Sequence, residues 1–419
     1  MKEKQKAIVV GVNINNQLNF SYSMEELANL ASACAIEVVG EVTQNLSRVN
    51  KAHYIGKGKL EEVLELLHES DADFVIFNDE LSPTQLRNLE EELDRKIMDR
   101  TMLILDIFAE RAKTREAQLQ VEVANLKYML PRLIGGREDL GRQGGGSGLK
   151  NRGAGETKLE LDRRRIEAKI ASLNKELEEL ITQRETQRNQ RRKSGVPIVS
   201  LVGYTNAGKS TIMNAMVKQF NPSAEKQVLE KDMLFATLDT SIRKIKLPYN
   251  KSFLLTDTVG FVDKLPHHLV KAFRSTLEEV AEADLLIHVV DYSNVHHSNH
   301  ISVTNNVLKD IGIDDIPTIT VYNKSDLCDV EIPMVEGENI YLSAKQEVGM
   351  TELIEAISNQ IFKENITCEM LIPFEEGQLV SYFNENANVR TTTYEHNGTK
   401  LIVECTNSDY EKYQKYVMK

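Results

Sequence analysis

Residues 203–210 read Gly203-Tyr204-Thr205-Asn206-Ala207-Gly208-Lys209-Ser210, a G-x-x-x-x-G-K-S pattern. It follows the strand-like run Ile198-Val199-Ser200-Leu201-Val202 and opens a helical pattern, the context a phosphate-cradling loop requires. Backbone N–H groups and the helix N-terminus can meet phosphate oxygens there. Lys209 can neutralise the β/γ oxygens and Ser210 can ligate Mg²⁺, with Thr211 next on the helix. Asp257 closes Phe253-Leu254-Leu255 and opens Asp257-Thr258-Val259-Gly260. A carboxylate at the end of a buried strand can hold the Mg²⁺ water shell, and Gly260 can offer a backbone N–H to a γ-phosphate. Asn323-Lys324-Ser325-Asp326 follows another buried run. The Asp326 carboxylate can accept from the N1–H and 2-amino group of guanine, a donor pair adenine lacks. Ser343-Ala344-Lys345 comes after a later strand and can present a backbone N–H to guanine O6. Four motifs in this order predict GTP as substrate and Mg²⁺ as cofactor. Of the threonines between the loop and Asp257, the residues alone do not choose between Thr237 and Thr240.

These residues need strand ends to stand on. Residues 197–365 alternate strand-like IVSLVGY, FLLTDTVG, LLIHVVD, TITVYN and NIYLSA with helical segments. That predicts a doubly wound, mostly parallel P-loop domain. Residues 1–108 alternate AIVVGV, IEVVGEV and DFVIF with helical patterns, and Ser82-Pro83 is a helix start, so a small α/β domain is expected. Phe74, Phe77 and Phe108 read as core. In residues 109–193, Leu119, Val123, Leu126, Leu130 and Leu133 form one heptad seam, with Pro131 a candidate kink. Leu159, Ile166, Ile170, Leu173, Leu177 and Leu180 form a second. The two seams predict an antiparallel helical hairpin. Its tip loop, 135–155, holds 9 of the chain's 22 glycines, with Arg137, Arg142, Lys150 and Arg152. Glycines allow close backbone approach and the cations can meet RNA phosphates, so a functional loop is expected. Residues 366–419 carry NVRTTTYEH and TKLIVECT around Asn397-Gly398, a hairpin signal in a small α+β domain.

The chain has 419 residues, with 51 Lys plus Arg against 63 Asp plus Glu, so the net charge is −12. Residues 111–193 run the other way, with 20 basic and 12 acidic side chains. A basic block in an acidic protein points to phosphates, a membrane surface or an acidic partner. Hydrophobic residues at 41% exclude a disordered chain. Four cysteines without a C-x-x-C pair exclude a disulfide scaffold or zinc ribbon. The N-terminal apolar stretch breaks at Asn13, too short for a signal peptide, and no run approaches the ~20 residues of a membrane span. A cytoplasmic monomer is expected.

Three further stretches narrow the reading: Tyr54-Ile-Gly-Lys-Gly-Lys-Leu, Asp106-Ile-Phe-Ala-Glu-Arg-Ala and Phe235-Ala236-Thr237-Leu238-Asp239. With the glycine-rich loop and Asp257-Thr-Val-Gly-Phe261, the chain resembles the HflX family of ribosome-associated GTPases over about residues 7–365. The resemblance implies a large-ribosomal-subunit partner, met through ribosomal RNA, and dissociation or rescue of ribosomes under stress. It also implies that Thr237 is the switch threonine meeting Mg²⁺, so Lys209, Thr237 and Gly260 become the expected catalytic groups, with residues 235–239 at the nucleotide. Ras carries a water-orienting glutamine where this chain has Phe261, so intrinsic hydrolysis should be slow and ribosome-stimulated. His296, His297 and His300 lack a carboxylate or cysteine companion and read as a solvated loop. The competing function is a GTP-switched coiled-coil adaptor on an anionic membrane or protein. The glycine loop favours RNA, since lipid electrostatics has no use for close backbone approach.

Overall fold

The computed structural model describes residues 5–17, 19–135, 150–193, 195–220, 235, 240–248, 251–266, 279–313 and 315–418, with backbone alone at 134–135, 150–159 and 187–193. By contact, the chain divides into two units. The first comprises 1–188 together with 231–239 and 262–275; the second holds the remainder.

In the first unit, β1 (Gln5–Ile14), β2 (Ile36–Leu46), β3 (Phe74–Phe77) and β4 (Lys96–Asp99) form an all-parallel sheet in the order β2-β1-β3-β4. Ala7 to Val10 and the whole of β3 are buried, as a covered parallel sheet requires. Between the strands run α1 (Phe20–Ala33), α2 (Lys57–Ser70) and α3 (Pro83–Leu93), and α4 (Arg100–Arg111) follows β4. The α3 start is a full capping box: the Gln85 N–H donates to Ser82 Oγ at 3.3 Å and the Ser82 N–H to Gln85 Oε1 at 3.0 Å. Phe74, Phe77 and Phe108 are all buried, as expected.

The two seams form a helical pair, α5 (Arg115–Gly135) and α6 (Lys150–Lys193). Leu119 and Val123 pack on Leu173, flanked by Leu126, Ile170, Leu177 and Leu180. Arg115–Glu176 and Arg184–Glu116, both at 2.7 Å, and Lys169–Glu122 at 2.5 Å fix the antiparallel register. α5 runs on through Pro131. The tip is shorter than expected: Lys150–Gly155 belong to α6, because Leu159 lies well inside a helix that continues N-terminally past it. Arg137 and Arg142 lie outside the described residues, as do the side chains of Lys150 and Arg152.

The second unit contains a seven-stranded sheet in the order β10-β11-β9-β8-β5-β7-β6. β5 (Ile198–Gly203), β7 (Ser252–Asp257), β8 (Leu285–Asp291), β9 (Thr318–Asn323) and β11 (Asn339–Tyr341) run parallel. The edges, β6 (Ser241–Lys246) and β10 (Met334–Glu336), are antiparallel. Helices α7 (Lys209–Phe220), α8 (His297–Asp310) and α9 (Met350–Ile361) belong to the same unit. A three-stranded antiparallel sheet follows, β12 (Ile366–Ile372), β14 (Gly398–Cys405) and β13 (Asn388–Glu395) in that order. Its hairpin closes on Glu395↔Gly398, so the two-residue turn is His396-Asn397, one position before the expected pair. The Lys251–Glu404 ion pair at 2.5 Å ties the two sheets together.

Candidate nucleotide site

The parallel strands end where the four motifs begin. β5 runs into Gly203 and α7 opens at Lys209, so the loop between them spans strand end and helix start. The Lys209 ammonium donates to the carbonyls of Gly203 at 3.1 Å and Tyr204 at 2.8 Å. It is buried, and burial lowers its pKa to about 8, opposed by the nearby Asp257 carboxylate. β7 ends at Asp257, fully buried, and Ser210 Oγ donates to Asp257 Oδ2 at 2.6 Å. Gly260 admits no side chain: a Cβ would lie 2.6 Å from Thr205 Cα and 2.9 Å from Lys209 Nζ. The backbone of the Asp257–Gly260 segment therefore lies directly against the loop. The Thr205 N–H donates to the Phe261 carbonyl at 2.7 Å and the Phe261 N–H to the Gly203 carbonyl at 3.2 Å, which locks the two segments.

β9 delivers the third motif. Asn323 Nδ2 donates to the Ala207 carbonyl at 2.9 Å, and Asn323 Oδ1 accepts from the Ala344 N–H at 3.0 Å. One buried amide thus joins the first, third and fourth motifs. Gly208 sits at φ +95°, and a Cβ there would meet Asn323 Nδ2 at 2.2 Å. Lys324 Nζ pairs with Asp291 Oδ2 at 2.7 Å. Asp326 stays partly exposed and accepts from Gln346 Nε2 at 3.2 Å. Ser325 is buried, its Oγ donating to the Tyr322 carbonyl at 2.8 Å. Ser343 Oγ accepts from the Gln346 N–H at 3.2 Å.

Several predicted residues offer only backbone. The Thr258 hydroxyl donates to the Leu201 carbonyl at 2.7 Å, and Val259 is buried. The Tyr204 ring stacks on His300, with centroids 3.8 Å apart and planes 8° off parallel. That corrects the solvated-loop reading of the histidines. His297 opens α8, and His300 is buried because the helix seats its ring on that of Tyr204. Among the described residues no group of three or more His, Cys, Asp or Glu could hold a metal. Ala236, Thr237, Leu238 and Asp239 lie outside the described residues; Phe235 is described and buried in the first unit. Thr240 directly precedes β6, its hydroxyl buried with no hydrogen-bond partner among the described residues.

Three residues escape the sequence reading. Asp291 ends an apolar run as Asp257 does, so a signal for it is present. Gln346 has no signal beyond adjacency to Lys345. His288 lies within buried β8, where burial and the Lys209 charge lower its pKa to about 4. As a set, the site offers a cation and backbone donors for phosphate, a hydroxyl–carboxylate pair for a hard cation, and a carboxylate for a base edge.

The chain is similar to known proteins along most of its length. Residues 21–109 match the family described as "GTP-binding GTPase N-terminal" and 111–191 "GTP-binding GTPase Middle Region". Residues 198–324 match "50S ribosome-binding GTPase". "GTPase HflX" of Caldanaerobacter subterraneus subsp. tengcongensis is 45% identical over 417 residues, 100% of this chain and 95% of that protein. "GTPase HflX" of Lacrimispora saccharolytica is 42% identical over 398 residues, covering 94% and 92%. A solved structure described as "crystal structure of SsGBP and GDP complex" aligns with TM-score 0.47 and 22% identity, over 86% of this chain and 99% of that one.

Proposed function

The chain belongs to the HflX family of GTPases and carries a 50S ribosome-binding GTPase domain, and from that premise we propose a Mg²⁺-dependent GTP hydrolase that dissociates or rescues ribosomes under stress. The observation that carries the nucleotide assignment is Asn323, which holds the Gly203–Ser210 loop and the Ser343–Lys345 segment in one place. Phosphates would meet the loop N–H groups and Lys209; guanine would meet Asp326 and the backbone after Ser343. The Ser210–Asp257 pair is a hard oxygen set of the kind Mg²⁺ takes, so Ser210 would ligate it and Asp257 would hold it through water. Thr237 is proposed as the second protein ligand. When bound, Mg²⁺ supplies charge neutralisation of the β/γ oxygens. Gly260 brings its backbone N–H to the same place, and Lys209 adds its charge.

Phe261 cannot orient water, and its ring is buried. Positioning of the nucleophile must come from elsewhere, which supports slow intrinsic turnover and stimulation by the large subunit. The basic 111–193 block supports RNA as the surface met, with Arg137, Arg142, Lys150 and Arg152 proposed as phosphate contacts. No helix among the described residues is long and apolar enough to cross a membrane. The test is a sucrose-gradient profile of purified ribosomes with the protein and a non-hydrolysable GTP analogue, beside co-sedimentation with anionic vesicles over a salt series. Conversion to subunits is the expected result. Intact ribosomes with vesicle binding would overturn the reading in favour of a membrane adaptor.

A further inference from the structure

Of the three stretches that carry the family resemblance, the two at residues 54–60 and 106–112 lie outside the proposed nucleotide site, and both meet the segments that should sense the nucleotide. Phe108, from Asp106-Ile-Phe-Ala-Glu-Arg-Ala, packs edge-on against Phe235, with centroids 4.7 Å apart and planes at 83°. Both rings are buried. Phe235 is the first residue of the third stretch and lies two residues before Thr237. Tyr54, from Tyr54-Ile-Gly-Lys-Gly-Lys-Leu, donates its hydroxyl to Asp79, and the other oxygen of Asp79 accepts from Lys264 Nζ at 2.6 Å. The guanidinium of Arg100, buried and paired with Glu26, donates to the Asp263 carbonyl at 3.1 Å. Asp263 and Lys264 come three and four residues after Gly260. All of these gripping and gripped residues belong to the first unit.

Three of the same positions are among the eleven described non-glycine residues at positive φ. Tyr54, Phe235 and Lys264 have φ of +67°, +53° and +54°, and none is glycine. A bulky side chain in the left-handed region persists only where its surroundings over-determine it, and such residues cluster at switches. Here the surroundings are the Phe77 ring packed edge-on against Tyr54, the Phe108 ring for Phe235, and the Asp79 carboxylate for Lys264. In P-loop GTPases the segments around the switch threonine and after the D-x-x-G glycine are ordered by the γ-phosphate.

We propose that Phe108, Arg100 and the Tyr54–Asp79 pair are positioning residues for GTP hydrolysis: they pre-shape the two nucleotide-sensing segments by gripping Phe235 and Asp263-Lys264. This rests on the reading of Thr237 and Gly260 as γ-phosphate-sensing. Held in this way, Phe235, Asp263 and Lys264 have less freedom to lose when GTP binds. GDP, which makes no γ-phosphate contact, gains nothing from the grip. The grip therefore acts on the ratio of GTP to GDP affinity and on turnover.

The test uses the full chain and three mild variants: Tyr54→Phe, Lys264→Ala and Phe108→Leu. Leu89→Ala, in the same core but touching neither segment, is the stability control. Affinity for GDP and for a non-hydrolysable GTP analogue is measured by equilibrium titration, and single-turnover hydrolysis is followed with large subunits. Each variant is expected to keep GDP affinity within about twofold, weaken analogue binding about five- to tenfold, and slow stimulated hydrolysis about tenfold. The control should melt earlier with its GTP/GDP ratio unchanged. A folded Lys264→Ala and Phe108→Leu with wild-type ratios and rates would overturn the positioning role alone. Faster hydrolysis in the variants would overturn it too, since the grip would then be a restraint. Wild type that binds neither nucleotide would bring down both this proposal and the GTPase reading beneath it.

Discussion

The side-chain amide of Asn323 donates to the Ala207 carbonyl across a gap into which any side chain at 208 would intrude. The first and third motifs are therefore coupled by one hydrogen bond at 2.9 Å, with no slack. Gly208→Ala should lose nucleotide binding by more than about tenfold, because the methyl clashes with Asn323 and φ of +95° strains an L residue by about 1–3 kcal/mol. Asn323→Ala should leave the Ala207 carbonyl and the Ala344 N–H without the bonds they now make, at about 1–3 kcal/mol each. Guanine-nucleotide titration and thermal melts of both variants check this. Wild-type affinity in Gly208→Ala would show that the loop relaxes independently of Asn323.

Asp326→Asn should weaken GTP binding and raise binding of xanthosine triphosphate. A carboxylate accepts from two guanine N–H groups, whereas an amide can donate to the xanthine 2-oxo group. Each lost charge-assisted bond should cost about 1.5–3 kcal/mol. Competition titration with the two triphosphates decides it, and an unchanged preference would remove Asp326 from base recognition. The contact with Gln346 should survive the substitution, since the oxygen of the introduced amide can still accept from Gln346 Nε2.

Much of this is readable from sequence because the signals are local. Apolar runs such as Leu285–Val290 are buried on both faces, and a run is what such a strand requires. β6 carries no such signal, because Ser-Ile-Arg-Lys-Ile-Lys is a half-exposed edge without a run. The turn at His396-Asn397 falls one residue from the expected dipeptide because pairing register is set across strands, which a dipeptide does not encode. His300 reads as solvated in sequence because its partner, Tyr204, is distant along the chain. The Phe108–Phe235 contact is invisible for the same reason, although both flanking stretches stand out as motifs.

Phe261→Gln should fail to restore fast hydrolysis. The ring is buried, and the 261 backbone is held at both ends by Thr205 and Gly203. A glutamine amide would take the ring's apolar site, at a cost of about 1–3 kcal/mol in stability. Thermal melts and single-turnover rates without ribosomes should show a less stable protein that is no faster. A rate gain above about tenfold would show that position 261 reaches the nucleophile after all.

Lys209 gives a pH-linked signature of phosphate binding. Burial lowers its pKa to about 8 in the free protein, so around pH 8.5 most molecules carry it neutral. Phosphate oxygens beside the amine favour the charged form and raise that value again. Nucleotide binding should then take up protons between pH 8 and the ordinary lysine range, about 0.7 proton at pH 8.5. Stability has the opposite sign. The unfolded chain, with its lysine pKa near 10.5, binds more protons in that window, so this group's contribution to folding becomes more favourable as pH rises. Affinity should therefore fall with pH across the window where the group's stability term improves, a divergence a surface lysine would not give. Calorimetry of GDP binding at about pH 8.5, in two buffers of different ionisation enthalpy, measures the proton number directly. An uptake near zero would mean that Lys209 stays charged in the free protein, held by the Gly203 and Tyr204 carbonyls strongly enough to offset its burial.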